Sequence, residues 1–186
     1  MSDVPIPQPP AVSTSRPLRL LVQTMTTPVG DLLLAVDDEG ALRVMHFTDE
    51  DDPRRVLTRA CHVPQVDIVP AHDPGGVASA LGAYFAGDLA AIDAVRVQAS
   101  GTPFQREVWD LLRSIPCGTT TTYGELARRI GRPDASRAVG LANGSNPIAI
   151  VVPCHRVIGA SGALTGYGGG LDRKRWLLQH EARRLF

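Results

Sequence analysis

Ile148-Ala149-Ile150-Val151-Val152-Pro153-Cys154-His155-Arg156-Val157 is the stretch on which the reading of this chain turns. An apolar run meets a proline, then a cysteine and a histidine, and a glycine-rich segment from Ile158 to Gly170 follows. The run predicts a buried strand that carries a thiol to its end. Pro153 cannot donate to a ladder and fixes the turn, so Cys154 is expected at the floor of a pocket. The thiolate is the reactive form of cysteine and histidine is its usual base, which makes Cys154 a candidate nucleophile and His155 a candidate base. Adjacent side chains point different ways, so the two are expected to communicate through one bridging water. Alone the dipeptide says little, because a buried cysteine is more often inert packing.

Upstream of this stretch the pattern is helical from about Gly101. Thr102 or Pro103 opens a helix with Phe104, Val108, Leu111, Leu112 and Ile115 at helical spacing, and Pro116 ends it. Trp109 reads as core. Tyr123 to Ile130 forms a second short helix stopped by Gly131, and Pro133 with Asp134 as N-cap begins a third, about Ala135 to Asn143. Two short helices joined by a tight turn make a helix-turn-helix. The third helix carries Ala135, Ser136, Ala138, Gly140 and Ala142, with Arg137 as its one long cation. Small residues suit either close packing on a neighbouring helix or entry into a nucleic-acid groove.

Residues 18–47 read as β structure, with a turn at Asp37-Asp38-Glu39-Gly40, and predict a meander or hairpin. Residues 48–75 are expected to be an irregular connection with a short helix around Pro53 to Ala60. Val77 to Ala86 is a helix ending at Gly87, and residues 92–97 are expected to return as a strand. The overall expectation is an α/β (α+β) chain in three parts. A flexible proline-rich tail occupies residues 1–17, an N-terminal α/β domain with a small antiparallel sheet residues 18–97, and a mostly helical C-terminal domain residues 101–186.

Formal net charge is zero, but residues 1–100 carry 7 basic and 13 acidic side chains while residues 101–186 carry 12 and 6. A basic half beside an acidic half suits a polyanion-binding face; solvated helix faces are the bland alternative. Three cysteines form no disulfide framework, and no segment approaches the roughly 20 apolar residues of a membrane span. A cytoplasmic protein with no membrane association is expected. Cys61 and His62, with His46 and His72, lack the paired spacing of a metal site, so no metal is expected. No phosphate loop or dinucleotide fingerprint occurs, so no cofactor is implied.

The order of motifs, from Gly101-Thr102-Pro103-Phe104-Gln105 through Ile115-Pro116-Cys117-Gly118, Tyr123-Gly124-Glu125-Leu126-Ala127, Arg137-Ala138-Val139-Gly140 and Asn146-Pro147 to Pro153-Cys154-His155-Arg156-Val157 and Gly166-Tyr167-Gly168-Gly169-Gly170, resembles the O6-alkylguanine-DNA alkyltransferases. The resemblance is specific over residues 101–186 and loose over residues 20–100. It implies DNA repair by direct, single-turnover transfer of a methyl or larger alkyl group from O6 of guanine, and from O4 of thymine, to an internal cysteine. The implied partner is double-stranded DNA bound through its minor groove by a monomer, with the damaged base flipped out.

The resemblance also implies roles. Cys154 is the acceptor, His155 its base, Glu181 the carboxylate that orients the imidazole, Asn146 a hinge that bonds backbone near the motif, and Tyr123 a donor to the purine. Arg137 holds the stack open from a helix that begins with Ala135 and Ser136. Val157 lines the base pocket, and Tyr167, Gly168 and Gly169 wall the O6 atom, where glycine permits close backbone approach. Arg156 belongs with internal carbonyls or the carboxylate, outside the catalytic set. The competing readings are a lesion binder that does not react, a helix-turn-helix regulator with an inert cysteine, and a cysteine hydrolase.

Overall fold

The computed structural model describes residues 16–48 and 52–182. The tail expected over residues 1–17 lies outside the described residues except for its last two. Strands β1 (Leu18–Thr27), β2 (Gly30–Asp37) and β3 (Leu42–Phe47) form the expected meander, antiparallel throughout. The sheet, however, has a fourth strand, β4 (Val66–Pro70), which pairs parallel to β1 and gives the order β3-β2-β1-β4. The sheet is therefore mixed, correcting the antiparallel expectation. The chain returns through helix α1 (Pro53–Cys61), and such a crossover delivers a parallel strand. β4 sits at the edge, where its closing Pro70 disrupts no ladder.

Residues 32–37 of the central strand β2 are buried without a break, because both sheet faces are covered. On one face Leu33 and Ala35 pack with Leu20, Val56, Leu57 and Cys61 under α1. On the other, Leu32, Leu34 and Val36 join a larger core that runs on into Val108, Leu112, Ile148 and Leu177. Truncating a side chain such as Leu34, fully buried there, costs about 2–5 kcal/mol.

Helix α2 (Val77–Ala86) ends at Gly87 in the left-handed conformation, as the sequence predicts. Helix α3 (Pro103–Arg113) opens with a capping box in which Thr102 Oγ1 accepts from the Gln105 amide and Gln105 accepts from the Thr102 amide. It stops two residues before Ile115. Residues 92–97 do not form a strand: Val97 makes one isolated bridge to Leu42. β5 (Thr121–Thr122) leads directly into α4 (Tyr123–Arg129), capped by Thr122, and Gly131 takes φ 69° beyond its end. Asp134 does not cap the next helix, because Pro133–Ala135 is a 3₁₀ turn, and α5 (Ser136–Gly144) begins after it with no side-chain cap. α4, the turn and α5 make the helix-turn-helix.

The apolar run Ile148–Val152 is buried but is not a strand. Ile148 bridges to Met45, and the chain then turns, with Ile150 at φ 65°. Asn146 supplies the hydrogen bonds a ladder would have supplied. Its Oδ1 accepts from the Ile148 amide, and its Nδ2 donates to the carbonyls of Ile148 and Val152. A left-handed β-branched residue costs roughly 1–2 kcal/mol, so this side-chain brace and the core around Ile150 have strain to offset. The run delivers Cys154 into a 3₁₀ turn, Cys154–Arg156, followed by β6 (Val157–Ile158), which pairs parallel to β5. Helix α6 (Leu171–Ala182) closes the described chain. Among the described residues no helix is long and apolar enough to cross a membrane.

Candidate active site and nucleic-acid interface

Cys154 is 7% exposed at the start of its 3₁₀ turn, with its amide donating to the Val152 carbonyl. It lines a cavity of about 70 Å³ with Asn143, Asn146, Ala149, Tyr167, Gly168 and other residues from β3 and the glycine-rich loop. A larger hollow of about 370 Å³ lies behind the turn, lined by Ile92, Arg113, Cys117 and Pro153 among others; Cys154 does not line it. The smaller cavity is the one that matters chemically, because it alone of the two reaches the thiol.

The loop is fixed from two sides. Phe47 of β3 meets the Tyr167 ring edge-on at 6.3 Å between centroids, and any Cβ at Gly169 would press into the Phe47 ring. Glycine is thus required at 169 for close approach. Lys174, fully buried on α6, donates from Nζ to the Val157 carbonyl at 2.6 Å and the Thr165 carbonyl at 2.7 Å, tying the loop to β6. Val157 itself is wholly buried opposite Thr121.

Behind the thiol, His155 and Glu181 are both 0% exposed. His155 Nε2 lies 2.9 Å from Glu181 Oε1, and the same carboxylate accepts from Arg156 Nε and Nη2 at 2.9 and 2.8 Å. Arg156 Nη1 donates to the Ile115 carbonyl and Nη2 reaches Cys117 Sγ at 2.7 Å. Burial alone would raise the Glu181 carboxyl, but the hydrogen bonds from His155 and Arg156 outweigh it and hold the group well below the usual carboxylate range. A carboxylate there accepts Nε2–H, which leaves the Nδ1 lone pair as the basic site of the ring. Nδ1 is buried and bonds no group among the described residues.

Burial pushes the His155 pKa down, and Glu181 opposes that shift without reversing it. Burial pushes the Cys154 thiol up, against the hydrogen bond to Asn146 and the charge of Lys174. Both shifts favour the neutral forms, a thiol and an uncharged imidazole. Cys117, read from sequence as incidental, is likewise pushed up to about 11, mainly by burial, and rests as a thiol.

Tyr123 opens α4 and lies across Gly140 of α5, with its Oη 3.5 Å from Thr165 Oγ1 of the loop. It does not line the cavity that reaches Cys154, nor do Val157 and Arg137. Ser136 and Arg137 stand exposed on α5 with Ala135 half-buried before them, and Leu141, one turn beyond Arg137, is 72% exposed. Arg137 makes no ion pair among the described residues. Neighbouring Arg128 and Arg132 do, with Glu125 and Glu107. Among the described residues no group of three or more His, Cys, Asp or Glu is placed to hold a metal ion.

Sequence reasoning passed over three residues of this site. Tyr84 of α2, fully buried, donates from Oη to Glu181 Oε1 at 2.9 Å. Asn143, 2% exposed, donates to the Cys154 carbonyl at 3.4 Å. Lys174 braces the loop. Only Lys174 left a signal, as the single lysine of the chain.

A family model described as 6-O-methylguanine DNA methyltransferase, DNA binding domain, matches residues 103–183. A methylated-DNA--protein-cysteine methyltransferase of Mycolicibacterium paratuberculosis is 64% identical over 161 residues, 87% of this chain and 92% of the relative. Its namesake in Salmonella typhimurium is 51% identical over 88% of this chain and 96% of its own length. The crystal structure of the Mycobacterium tuberculosis O6-methylguanine methyltransferase superposes with TM-score 0.72 at 45% identity, covering 89% of this chain and 94% of that one. A structure of the M. tuberculosis protein in complex with DNA matches with TM-score 0.72 at 42% identity, over 90% and 94% of the two chains. With likeness on this scale running through both halves and around the buried thiol, the chain belongs to the methylated-DNA--protein-cysteine methyltransferase family.

Proposed function

We propose that this protein repairs double-stranded DNA by moving an alkyl group from O6 of guanine, and from O4 of thymine, onto Cys154, once per molecule, as a cytoplasmic monomer. The observation that carries the reading is a buried cysteine at the floor of a cavity, backed by an imidazole whose far nitrogen is held by a buried carboxylate. His155 Nδ1 takes the thiol proton, through one bridging water, as sulfur attacks the alkyl carbon. The C–S bond forms while the C–O bond breaks, and the electron pair stays on the purine. Tyr123 Oη donates to the ring as that charge develops. Glu181, itself held by Arg156, keeps the imidazolium paired during the step. The product is a thioether, which water does not cleave, so turnover stops at one.

A base inside a duplex cannot reach a buried sulfur, so the base must be extruded. The exposed face of α5 is the surface for this. Ala135 and Ser136 are small enough to let the helix backbone approach the minor groove, and Arg137, without an acidic partner among the described residues, fills the stack. The Tyr167-Gly168-Gly169 loop, which lines the cavity, closes around the extruded base, and Asn146 holds the turn that presents the thiol. Intact-protein mass spectrometry after incubation with an O6-methylguanine duplex tests the reading. A gain of one methyl group per chain, on the peptide holding Cys154, is expected; no gain, or a gain on another peptide, overturns it.

A further inference from the structure

Glu181 Oε1 accepts from three donors: His155 Nε2, Arg156 Nη2 and Tyr84 Oη. The first two come from the reactive turn itself. Tyr84 comes from α2, 97 residues from Glu181 in sequence. Its ring is fully buried, so the phenol has no solvent to bond, and its backbone carbonyl is bonded in turn by His180 Nε2 on α6 at 2.9 Å. Tyr84 is thus latched to α6 at both ends. A buried tyrosine needs a hydrogen-bond partner, but a backbone carbonyl would satisfy it as well as the one carboxylate that faces the catalytic imidazole.

We infer that Tyr84 is a positioning residue for alkyl transfer: its hydroxyl, supplied by the N-terminal half, draws charge from Glu181 Oε1 and so sets how strongly that carboxylate holds a proton on His155. The inference rests on the repair reading above and gives the N-terminal half a part in the chemistry. A neutral donor on a carboxylate oxygen weakens the bond which that oxygen makes to the imidazole, so the ring is more readily neutral and free to accept the thiol proton. The groups that face His155 and Glu181 are Tyr84 from α2, Cys117 and the Gly118 amide from the loop before β5, Cys154 and Arg156 from the reactive turn, Tyr167 from the glycine-rich loop, and Lys174 from α6. Among these Tyr84 is the neutral side chain that bonds the same oxygen as the imidazole.

The test is the pH dependence of single-turnover methyl transfer from an O6-methylguanine duplex. In Tyr84→Phe the carboxylate holds the imidazolium more tightly, so the acid limb moves to higher pH, with the proton-binding constant of His155 up roughly three- to tenfold and duplex affinity unchanged. Placing 3-fluorotyrosine at position 84 alone strengthens the donor and moves the limb to lower pH. A tyrosine that merely fills the core would move it in neither direction, and an unshifted limb in both variants overturns the inference. Should the phenylalanine variant not fold, the fluorotyrosine chain decides the matter by itself. Absence of methyl transfer in the unaltered protein would instead overturn the repair reading.

Discussion

The carboxylate network behind Cys154 and the outer face of α5 are built on opposite principles. Behind the thiol the charges of Glu181 and Arg156 are buried and paired, with Glu181 accepting from Tyr84, His155, Arg156 and, more loosely, the Gly118 amide at 3.4 Å. On α5, Arg137 stands without an acid among the described residues and Leu141 is largely in solvent. The first region is complete before any substrate arrives. The second leaves a cation and a leucine exposed, features that would suit a groove lined by phosphates and sugars. Substitutions in the two regions should therefore separate chemistry, stability and DNA handling.

The largest expected effect is on chemistry alone. Cys154→Ser should lose transfer altogether while still binding an O6-methylguanine duplex, because an alcohol is a far poorer nucleophile of nearly the same shape. A stoichiometric methyl gain on the same peptide of the serine variant would refute the acceptor assignment. Glu181→Gln breaks the paired region next. It strands Arg156 and unpairs the imidazolium, so stability should fall by about 3–5 kcal/mol and the transfer rate should drop with it, while duplex affinity holds. A thermal melt beside a single-turnover rate checks both, and a normal rate with a normal pH profile would reduce Glu181 to a structural carboxylate.

Arg137→Ala should do the reverse. Stability should change by less than about 0.5 kcal/mol, as for an exposed surface residue. Transfer from a duplex should slow roughly a hundredfold, because unstacking costs a few kcal/mol, while transfer from a free O6-alkylguanine base should not change. Equal losses on both substrates would make Arg137 structural.

The smallest effect is on the pH dependence of folding, to which buried titratable groups contribute. His155 and Glu181 have folded pKa values below their unfolded ones, so the stability they add is present above the unfolded values and is lost as pH falls, first below about 6.5 for His155 and then below about 4.3 for Glu181. Cys154 and Cys61 are raised, so their contribution is full below about 8.5 and declines above it. Denaturant midpoints should therefore peak between about pH 6.5 and 8.5. A midpoint that keeps rising below pH 6 would contradict a buried neutral imidazole.

Local chemistry by itself determined a good deal of this protein. The meander, α2 with its glycine stop, the capping box of α3, the two short helices and the order of reactive motifs all follow from side-chain periodicity, caps and turn residues, which act within a few positions of one another. Other features waited for the tertiary structure. Five apolar residues before Pro153 predicted a strand, yet Asn146 meets their backbone groups and no neighbouring strand continues past Ile148. β4 became the parallel edge of a mixed sheet because α1 carried it back beside β1, which periodicity in a five-residue segment cannot foretell. Tyr84 and Asn143 look like ordinary helix positions in the sequence, and even the lone Lys174 gives no hint of its target. Their partners lie 97, 11 and 17 residues away. A buried polar group takes its role from whichever unsatisfied atom the fold brings within reach, and that is decided only when distant elements pack.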